Sequence, residues 1–258
     1  MKKITADIIK QEHLTEDIYS MIIRAKEIAE EAHSGQFLNL YTADKSKLLP
    51  RPISICEIDK KAGTIRLVYR TVGEGTHQFS TLKKGDKIDV LGPVGNGYDL
   101  DSTKPILMGG GIGIPPMLQL AKEFAAKGLS KTDIKVVLGF RIHGFLLDEF
   151  KKVSTVYISS DSGAIGVKGN VIDAAREYSI TGDTIYACGP KPMLRAIKAY
   201  AYENDMNAQI SLEERMACGI GACLACVCQS TEIDDHSKVT NKRVCVDGPV
   251  FYAEEVEL

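Results

Sequence analysis

No run in this 258-residue chain approaches the roughly 18 consecutive apolar residues of a membrane-spanning helix, so no membrane association is expected. No block of like charge occurs either: 32 Lys and Arg stand against 34 Asp and Glu, a formal net charge of −2. A nucleic-acid or anionic-lipid partner is therefore not expected. The opening stretch MKKITADIIK carries lysines but no apolar segment of signal length behind them, which reads as a cytoplasmic protein. No Ser/His/Asp triad and no pair of carboxylates at a catalytic spacing stands out. The histidines, His13, His33, His77, His143 and His236, form no metal-spaced set. Seven cysteines is an odd number, and a reducing compartment disfavours disulfides, so a paired framework is not expected. What the chain does have is 44% apolar residues, sufficient for a core.

The first hundred residues read as six short β-rich segments separated by turn residues: ITADIIK, IYSMIIRA, GQFLNLYT, PISICEID, TIRLVYRTVG and DKIDVLGPVG. Six strands with little helix predict a small antiparallel barrel over 1–101. The pattern then changes. PILMGGGIGIPPMLQLAKEFAAKG is a buried strand, a glycine turn and an amphipathic helix, and DIKVVLGF, VSTVYISS and DTIYACGP follow as further strands. Helical stretches such as VIDAAREY and KPMLRAIKAYAYEND lie between some of them. This alternation predicts a parallel α/β domain over 102–210. A small cysteine-rich module fills 211–258.

In that module Cys218, Cys223 and Cys226 give C-x4-C-x2-C, and Cys245 follows within KRVCVDGP. This is the plant-type spacing of a [2Fe–2S] cluster. Three thiolates on one loop require a backbone that wraps closely, and Gly219 and Gly221 supply that freedom. A zinc site more often shows two CxxC pairs; free core cysteines are the other alternative. Cys228 lies two residues past Cys226 and competes with Cys245 as fourth ligand, although a ligand from a separate strand closes the far iron more easily.

Two glycine turns end predicted strands. In GGGIGIPPM, Gly109 to Met117, backbone N–H groups at a helix N-terminus can receive a dinucleotide pyrophosphate. The match to G-x-G-x-x-G is incomplete, since Pro116 takes the last position, and a tight turn without ligand is the alternative. CGPKPM, Cys188 to Met193, repeats strand, turn and helix. Within the barrel, RPISI begins at Arg51, whose guanidinium can meet a phosphate, and VGEGTHQF places a glycine turn before a short helix. A nicotinamide moves two electrons as hydride and a cluster normally moves one. A flavin converts between the two regimes, and the barrel is the segment left to hold it.

A barrel with RPIS and GEGT, followed by GGGIGIPP and CGPKPM, resembles the ferredoxin–NADP reductase superfamily. With the tail ERMACGIGACLACVC it is similar, over essentially the whole length, to the electron-transfer subunits of bacterial NAD-linked (type B) dihydroorotate dehydrogenases. The resemblance implies FAD contacts at Arg51, Pro52, Ile53, Ser54, Val68, Tyr69, Arg70, Gly75 and Thr76. It implies a nicotinamide cofactor across Gly109, Gly110, Gly111, Gly113 and Pro115 and across Cys188, Gly189 and Pro190. Cluster ligands would be Cys218, Cys223, Cys226 and Cys245. The implied partner is an FMN-containing catalytic subunit that oxidises dihydroorotate to orotate for pyrimidine biosynthesis, in a heterotetramer of two of each. Asp161 in SSDSG, with no arginine in that loop, favours NAD over NADP. A related FAD/[2Fe–2S] subunit of a sulfhydrogenase or a ferredoxin–NADP transhydrogenase is the nearest alternative. A zinc-binding interaction module without redox chemistry is a more distant one.

Overall fold

Alternation along the early strands builds a closed barrel. In β5 (Thr64–Arg70), Ile65, Leu67 and Tyr69 are buried in the barrel core while Arg66 and Arg70 point outward. The other staves are β1 (Lys2–Thr15), β2 (Ile18–Arg24), β3 (Phe37–Tyr41), β4 (Arg51–Asp59) and β6 (Lys87–Val94). They pair antiparallel in the order β1-β2-β5-β4-β3-β6, and β6 closes back on β1. Two short helices, α1 (Lys26–Glu31) and α2 (Glu74–Thr81), pack against the barrel core through Ile28, Ala29 and Phe79. The computed structural model describes residues 1–233 and 238–258, so His236 lies outside the described residues.

The second unit is a seven-stranded sheet in the order β10-β9-β8-β7-β11-β12-β15. Its strands are β7 (Pro105–Gly110), β8 (Lys135–Phe140), β9 (Thr155–Ser160), β10 (Val167–Lys168), β11 (Thr184–Cys188), β12 (Asn207–Ser211) and β15 (Val250–Tyr252). Every residue of β7 is buried, as expected of a central parallel strand with both faces covered. Helices α3 (Ile114–Ala126) and α4 (Leu147–Val153) pack on one face. Helices α5 (Val171–Glu177) and α6 (Lys191–Glu203) pack on the other. The sequence signals only a parallel sheet. β15 runs antiparallel to β12 and comes from the cysteine-rich tail. The rest of that tail is a small hairpin, β13 (Val227–Gln229) with β14 (Asn241–Arg243), and its Cys226, Cys228, Val244 and Cys245 join the α5/α6 core.

Polar contacts join barrel to sheet. The backbone N–H of Ile58 donates to Gln119 Oε1 at 2.8 Å, and Ser34 donates to the Glu123 carboxylate through N at 3.1 Å and Oγ at 2.5 Å. Glu57 accepts from Arg66 Nη1 at 2.5 Å and from Lys122 on α3. Among the described residues no helix is long and apolar enough to cross a membrane.

Candidate cofactor sites

Arg51 opens β4 at the mouth of the barrel. Its guanidinium lies over the first turn of α2 so closely that a Cβ on Gly75 would stand 2.1 Å from Nε. Arg51 Nη1 also donates to the Leu49 carbonyl at 2.5 Å. The positive end of α2 and the guanidinium thus converge, which favours a phosphate. Thr76 braces the entry to that helix: its buried hydroxyl accepts from the N–H of Val72 at 2.9 Å and of Gly73 at 3.2 Å. A cavity of about 360 Å³ opens beside this turn, lined by Thr42, Asp44, Lys47, Glu74, Gly75 and Gln78. Pro52, Ile53 and Ser54 are half-buried along the same edge, with Ile53 packed against the barrel core.

The sequence-predicted VYR stretch divides. Val68 packs toward the α/β domain and Arg70 is partly exposed. Tyr69 turns inward, 1% exposed, with its hydroxyl accepting from Gln11 Nε2 at 2.8 Å. Burial pushes that phenol up to about 12. Tyr69 therefore presents backbone, not ring, to the mouth. Arg70 pairs with Asp17 at 3.0 Å, and its Nη2 lies 3.9 Å from where a Cβ on Gly111 would sit. The barrel edge and the first glycine turn meet there.

The two glycine turns lie side by side, because β7 and β11 are parallel neighbours with Gly109 opposite Cys188. Gly111–Gly113 form a 3-10 turn leading directly into α3, where Pro115 occupies the first turn. Gly113 approaches the Cys188 carbonyl so closely that a Cβ would stand 2.2 Å from it. Gly110 and Gly189 both rest on Met193, with 2.4 Å to its Sδ and Cε respectively from their notional Cβ positions. Pro190 is exposed at the mouth of the second turn, and burial pushes the Cys188 thiol up to about 12. Asp161 is exposed just past β9, two strands from the glycine turn in the sheet order. Its N–H donates to the Phe140 carbonyl at 3.2 Å, which sets Arg141 beside it at the end of β8. Sequence reasoning looked for an arginine only within the Asp161 loop and so passed over Arg141.

The four predicted cluster cysteines come together as two pairs. Cys218 and Cys223 lie 3.3 Å apart, sulfur to sulfur, and the buried Cys226 and Cys245 interact with each other. Among the described residues no three or more His, Cys, Asp or Glu side chains are arranged around one point to hold a single metal ion. Two pairs of thiols suit two irons, each taking two thiolates, and not one tetrahedral zinc. Backbone N–H groups already face the sulfurs: Gly221 N to Cys245 Sγ at 3.2 Å and Ile220 N to Cys218 Sγ at 3.5 Å. Burial acts to raise the Cys218 thiol, but the N–H of Ile220, the Cys223 thiol and the N–H groups of Cys223 and Ala222 outweigh it, leaving it at about 7. Burial, with Cys226 alongside, pushes Cys245 up to about 12. Gly219 and Gly221 have φ of +63° and +82°, the left-handed region that favours glycine. Cys228 belongs to β13, paired with Lys242, and its side chain sits in the α5/α6 core.

One residue passed over at the level of sequence joins these parts. Asn39, fully buried on β3, donates from Nδ2 to the Gly219 carbonyl at 3.0 Å. Its partner across the β3–β4 ladder is Pro52. The cysteine loop therefore touches the barrel one residue pair from the RPIS edge. Ile220, Ala222, Leu224 and Ala225 do not pack beneath the cysteines; all four are exposed, Leu224 at 72%.

Three family models match in succession: an oxidoreductase FAD-binding domain over residues 5–98, an oxidoreductase NAD-binding domain over 107–199, and an iron–sulfur cluster binding domain of dihydroorotate dehydrogenase B over 213–257. A Listeria monocytogenes protein named dihydroorotate dehydrogenase B (NAD(+)), electron transfer subunit, is 46% identical over 259 residues, covering 97% of both chains. A Fusobacterium nucleatum protein of the same name is 43% identical, covering 95% of both. A solved NADH-dependent reduced ferredoxin–NADP oxidoreductase structure superposes with a TM-score of 0.85 at 31% identity, over 98% of this chain and 89% of that one. Phthalate dioxygenase reductase, at 18% identity and a TM-score of 0.62, shares the fold.

Proposed function

The chain belongs to the family of dihydroorotate dehydrogenase B (NAD(+)) electron-transfer subunits, and from that premise we propose that it carries electrons from a dihydroorotate-oxidising, FMN-containing partner through a [2Fe–2S] cluster and FAD to NAD⁺. The observation that carries this reading is the convergence of three sites on one junction. Arg70 reaches the glycine turn from the barrel, and Asn39 reaches the cysteine loop from the strand beside RPIS.

When bound, the flavin supplies the conversion between hydride and single-electron chemistry. The chain's own residues bind and orient. Arg51 and the first turn of α2, with Gly75 and Thr76, would hold the FAD pyrophosphate. Pro52, Ile53, Ser54, Val68 and Arg70, with the backbone of Tyr69, would line its ring system. The turns at Gly109–Gly113 and Cys188–Pro190, with Pro115 starting α3, would admit the nicotinamide cofactor close to backbone. Asp161 at a strand end would accept from the ribose hydroxyls, and with Arg141 beside it the choice of NAD rests on the family rather than on this loop. Cys218 with Cys223, and Cys226 with Cys245, would hold one iron each. No side chain is required as an acid or base; placement and shielding are the chain's task. The units we assign are 1–101 for FAD, 102–210 for NAD and 211–258 for the cluster, in a heterotetramer of two chains and two partners.

The test is a visible spectrum with iron and flavin content, followed by reconstitution. The chain alone should bind about one FAD and two irons and reduce an artificial dye with NADH, without oxidising dihydroorotate. Mixed with a dihydroorotate-oxidising FMN subunit, it should form a complex that reduces NAD⁺. The exposed, uncharged Ile220, Ala222, Leu224 and Ala225 between the cysteines are the face we assign to docking with that subunit, so Leu224→Glu should weaken the complex with iron and FAD intact, because an unpaired carboxylate is costly at an interface. Reduction of ferredoxin but not of the FMN subunit would favour the related reductase role that the ferredoxin–NADP oxidoreductase structure suggests.

A further inference from the structure

The hydrogen bond from Asn39 continues through a single peptide unit. Asn39 Nδ2 donates to the Gly219 carbonyl at 3.0 Å, and the N–H of the same peptide, on Ile220, faces Cys218 Sγ at 3.5 Å. A carbonyl that accepts a hydrogen bond makes its own N–H a stronger donor, since hydrogen bonds in series polarise one another, and more so where the dielectric is low. Asn39 is fully buried, so its effect is not screened by water. The close fit is also built in. A Cβ on Gly219 would stand 2.5 Å from the Asn39 amide, so the glycine is what lets the amide reach the loop.

Asn39 is out of place by ordinary packing rules. It interrupts a buried apolar strand, between Leu38 and Leu40, where an apolar residue would cost nothing in desolvation. Its Oδ1 is buried and has no hydrogen-bond partner among the described residues, a desolvation cost that an apolar side chain would avoid. A polar side chain kept at such cost calls for a task, and the Gly219–Ile220 peptide is the group it touches. Across the ladder from Asn39 stands Pro52, so the residue lies between the flavin edge and the cysteine loop.

We propose that Asn39 is a positioning residue for electron transfer: it fixes and polarises the Gly219–Ile220 peptide against Cys218 and so raises the reduction potential of the cluster relative to the flavin. The inference rests on the cluster assignment above. Its physical basis is that a reduced cluster carries one more negative charge, which donors aimed at its sulfurs stabilise. Removing the polarising partner weakens the donor and favours the oxidised cluster.

The experiment is a redox titration followed by electron paramagnetic resonance on the FAD- and iron-loaded chain, parent against Asn39→Leu. Leucine is similar in size and leaves no new polar group in the strand. The expected result is full iron and flavin content, an unchanged flavin couple and unchanged NADH–dye activity. The cluster equilibrium should shift about threefold to tenfold toward the oxidised form, the worth of roughly one hydrogen bond. At about 59 mV per tenfold for a one-electron couple, that is roughly 28–59 mV downward. If the leucine variant fails to hold iron, the near-isosteric Asn39→Asp carries the same measurement at alkaline pH, where the carboxylate cannot donate; its potential should fall at least as far. An iron-loaded variant with the parental potential overturns the inference while the cluster assignment stands. A parent without iron overturns both.

Discussion

Substituting Gly113 by alanine tests the junction of the two glycine turns with one methyl group. The Gly113 backbone is right-handed helical, φ −79° and ψ −5°, so alanine meets no dihedral penalty there. The cost is contact alone. The new Cβ would stand 2.2 Å from the Cys188 carbonyl oxygen, 2.4 Å from its carbon and 2.6 Å from Gly189 N. All three are backbone atoms, so no side chain can rotate aside, and the turns must part by roughly 1 Å to restore an ordinary contact. Overpacking of this kind costs about 1–3 kcal/mol, or roughly 2–4 °C in Tm per kcal/mol at this size. The functional effect should be larger, because a displacement of about 1 Å at a reacting pair can cost on the order of 100-fold. NADH–dye reductase activity should fall by about that factor in kcat/KM, while iron content and FAD fluorescence stay parental. Gly111→Ala is the contrast. The nearest described atom to its Cβ is Arg70 Nη2 at 3.9 Å, so the two turns should keep their spacing; but its φ of +54° strains an alanine and the residue lies in the turn assigned to the nicotinamide cofactor, so KM for NADH should rise with kcat largely kept. Parental kinetics in Gly113→Ala would refute the two-turn crevice.

Cys218→Ser, Cys223→Ser, Cys226→Ser and Cys245→Ser should each lower iron content, whereas Cys228→Ser should not, since Cys228 lies in the β13–β14 ladder opposite Lys242, outside the two cysteine pairs; iron analysis of the five proteins decides it. Arg51→Ala should weaken FAD retention roughly ten- to hundredfold, the worth of one charge-assisted hydrogen bond of about 1.5–3 kcal/mol, measured by flavin release. Burial acts to raise the Glu57 carboxyl, but Lys122 and Arg66 outweigh it and hold it below its ordinary 4.5. A depressed carboxylate contributes stability in full above about 4.5 that is lost as pH falls through the lower folded value. Acid unfolding of Glu57→Gln should lack that component, and identical acid profiles would refute the pairing of Glu57 with Lys122 and Arg66.

The barrel strands and the central parallel strands were legible because burial alternates in one and is continuous in the other, so each wrote its period into the residues. The cysteine loop was legible because thiolate spacing is fixed by the size of what it wraps. The side on which Tyr69 falls is written in the same alternation, Ile65, Leu67 and Tyr69 against Arg66 and Arg70, but the partner of its hydroxyl, Gln11, lies 58 positions away and was not legible. Asn39 was invisible for a related reason. Its partner Gly219 is 180 positions away, and an asparagine within FLNLY carries no local sign of what it will meet. The short helix α4 hid within an irregular stretch, and β15 has only three residues, too few to show any period.

That last strand has a consequence for how the molecule comes into being. Without β15, the outer edge of β12 is a row of open N–H and C=O groups, the kind of edge that pairs with other chains. The residues that close it are Val250–Tyr252, made only after the cysteine loop. Tyr252 then ties down to Asp99 at 2.7 Å, and Arg195 and Lys198 of α6 hold the carbonyls of Leu258 and Val256 at 2.6 and 2.8 Å. During synthesis, the barrel can close long before this while the nucleotide-binding sheet waits with one side bare. The tail is thus no appendage to a finished sheet: the segment that carries the cysteine loop also carries the strand that covers the edge of β12, and both follow the rest of the sheet in chain order.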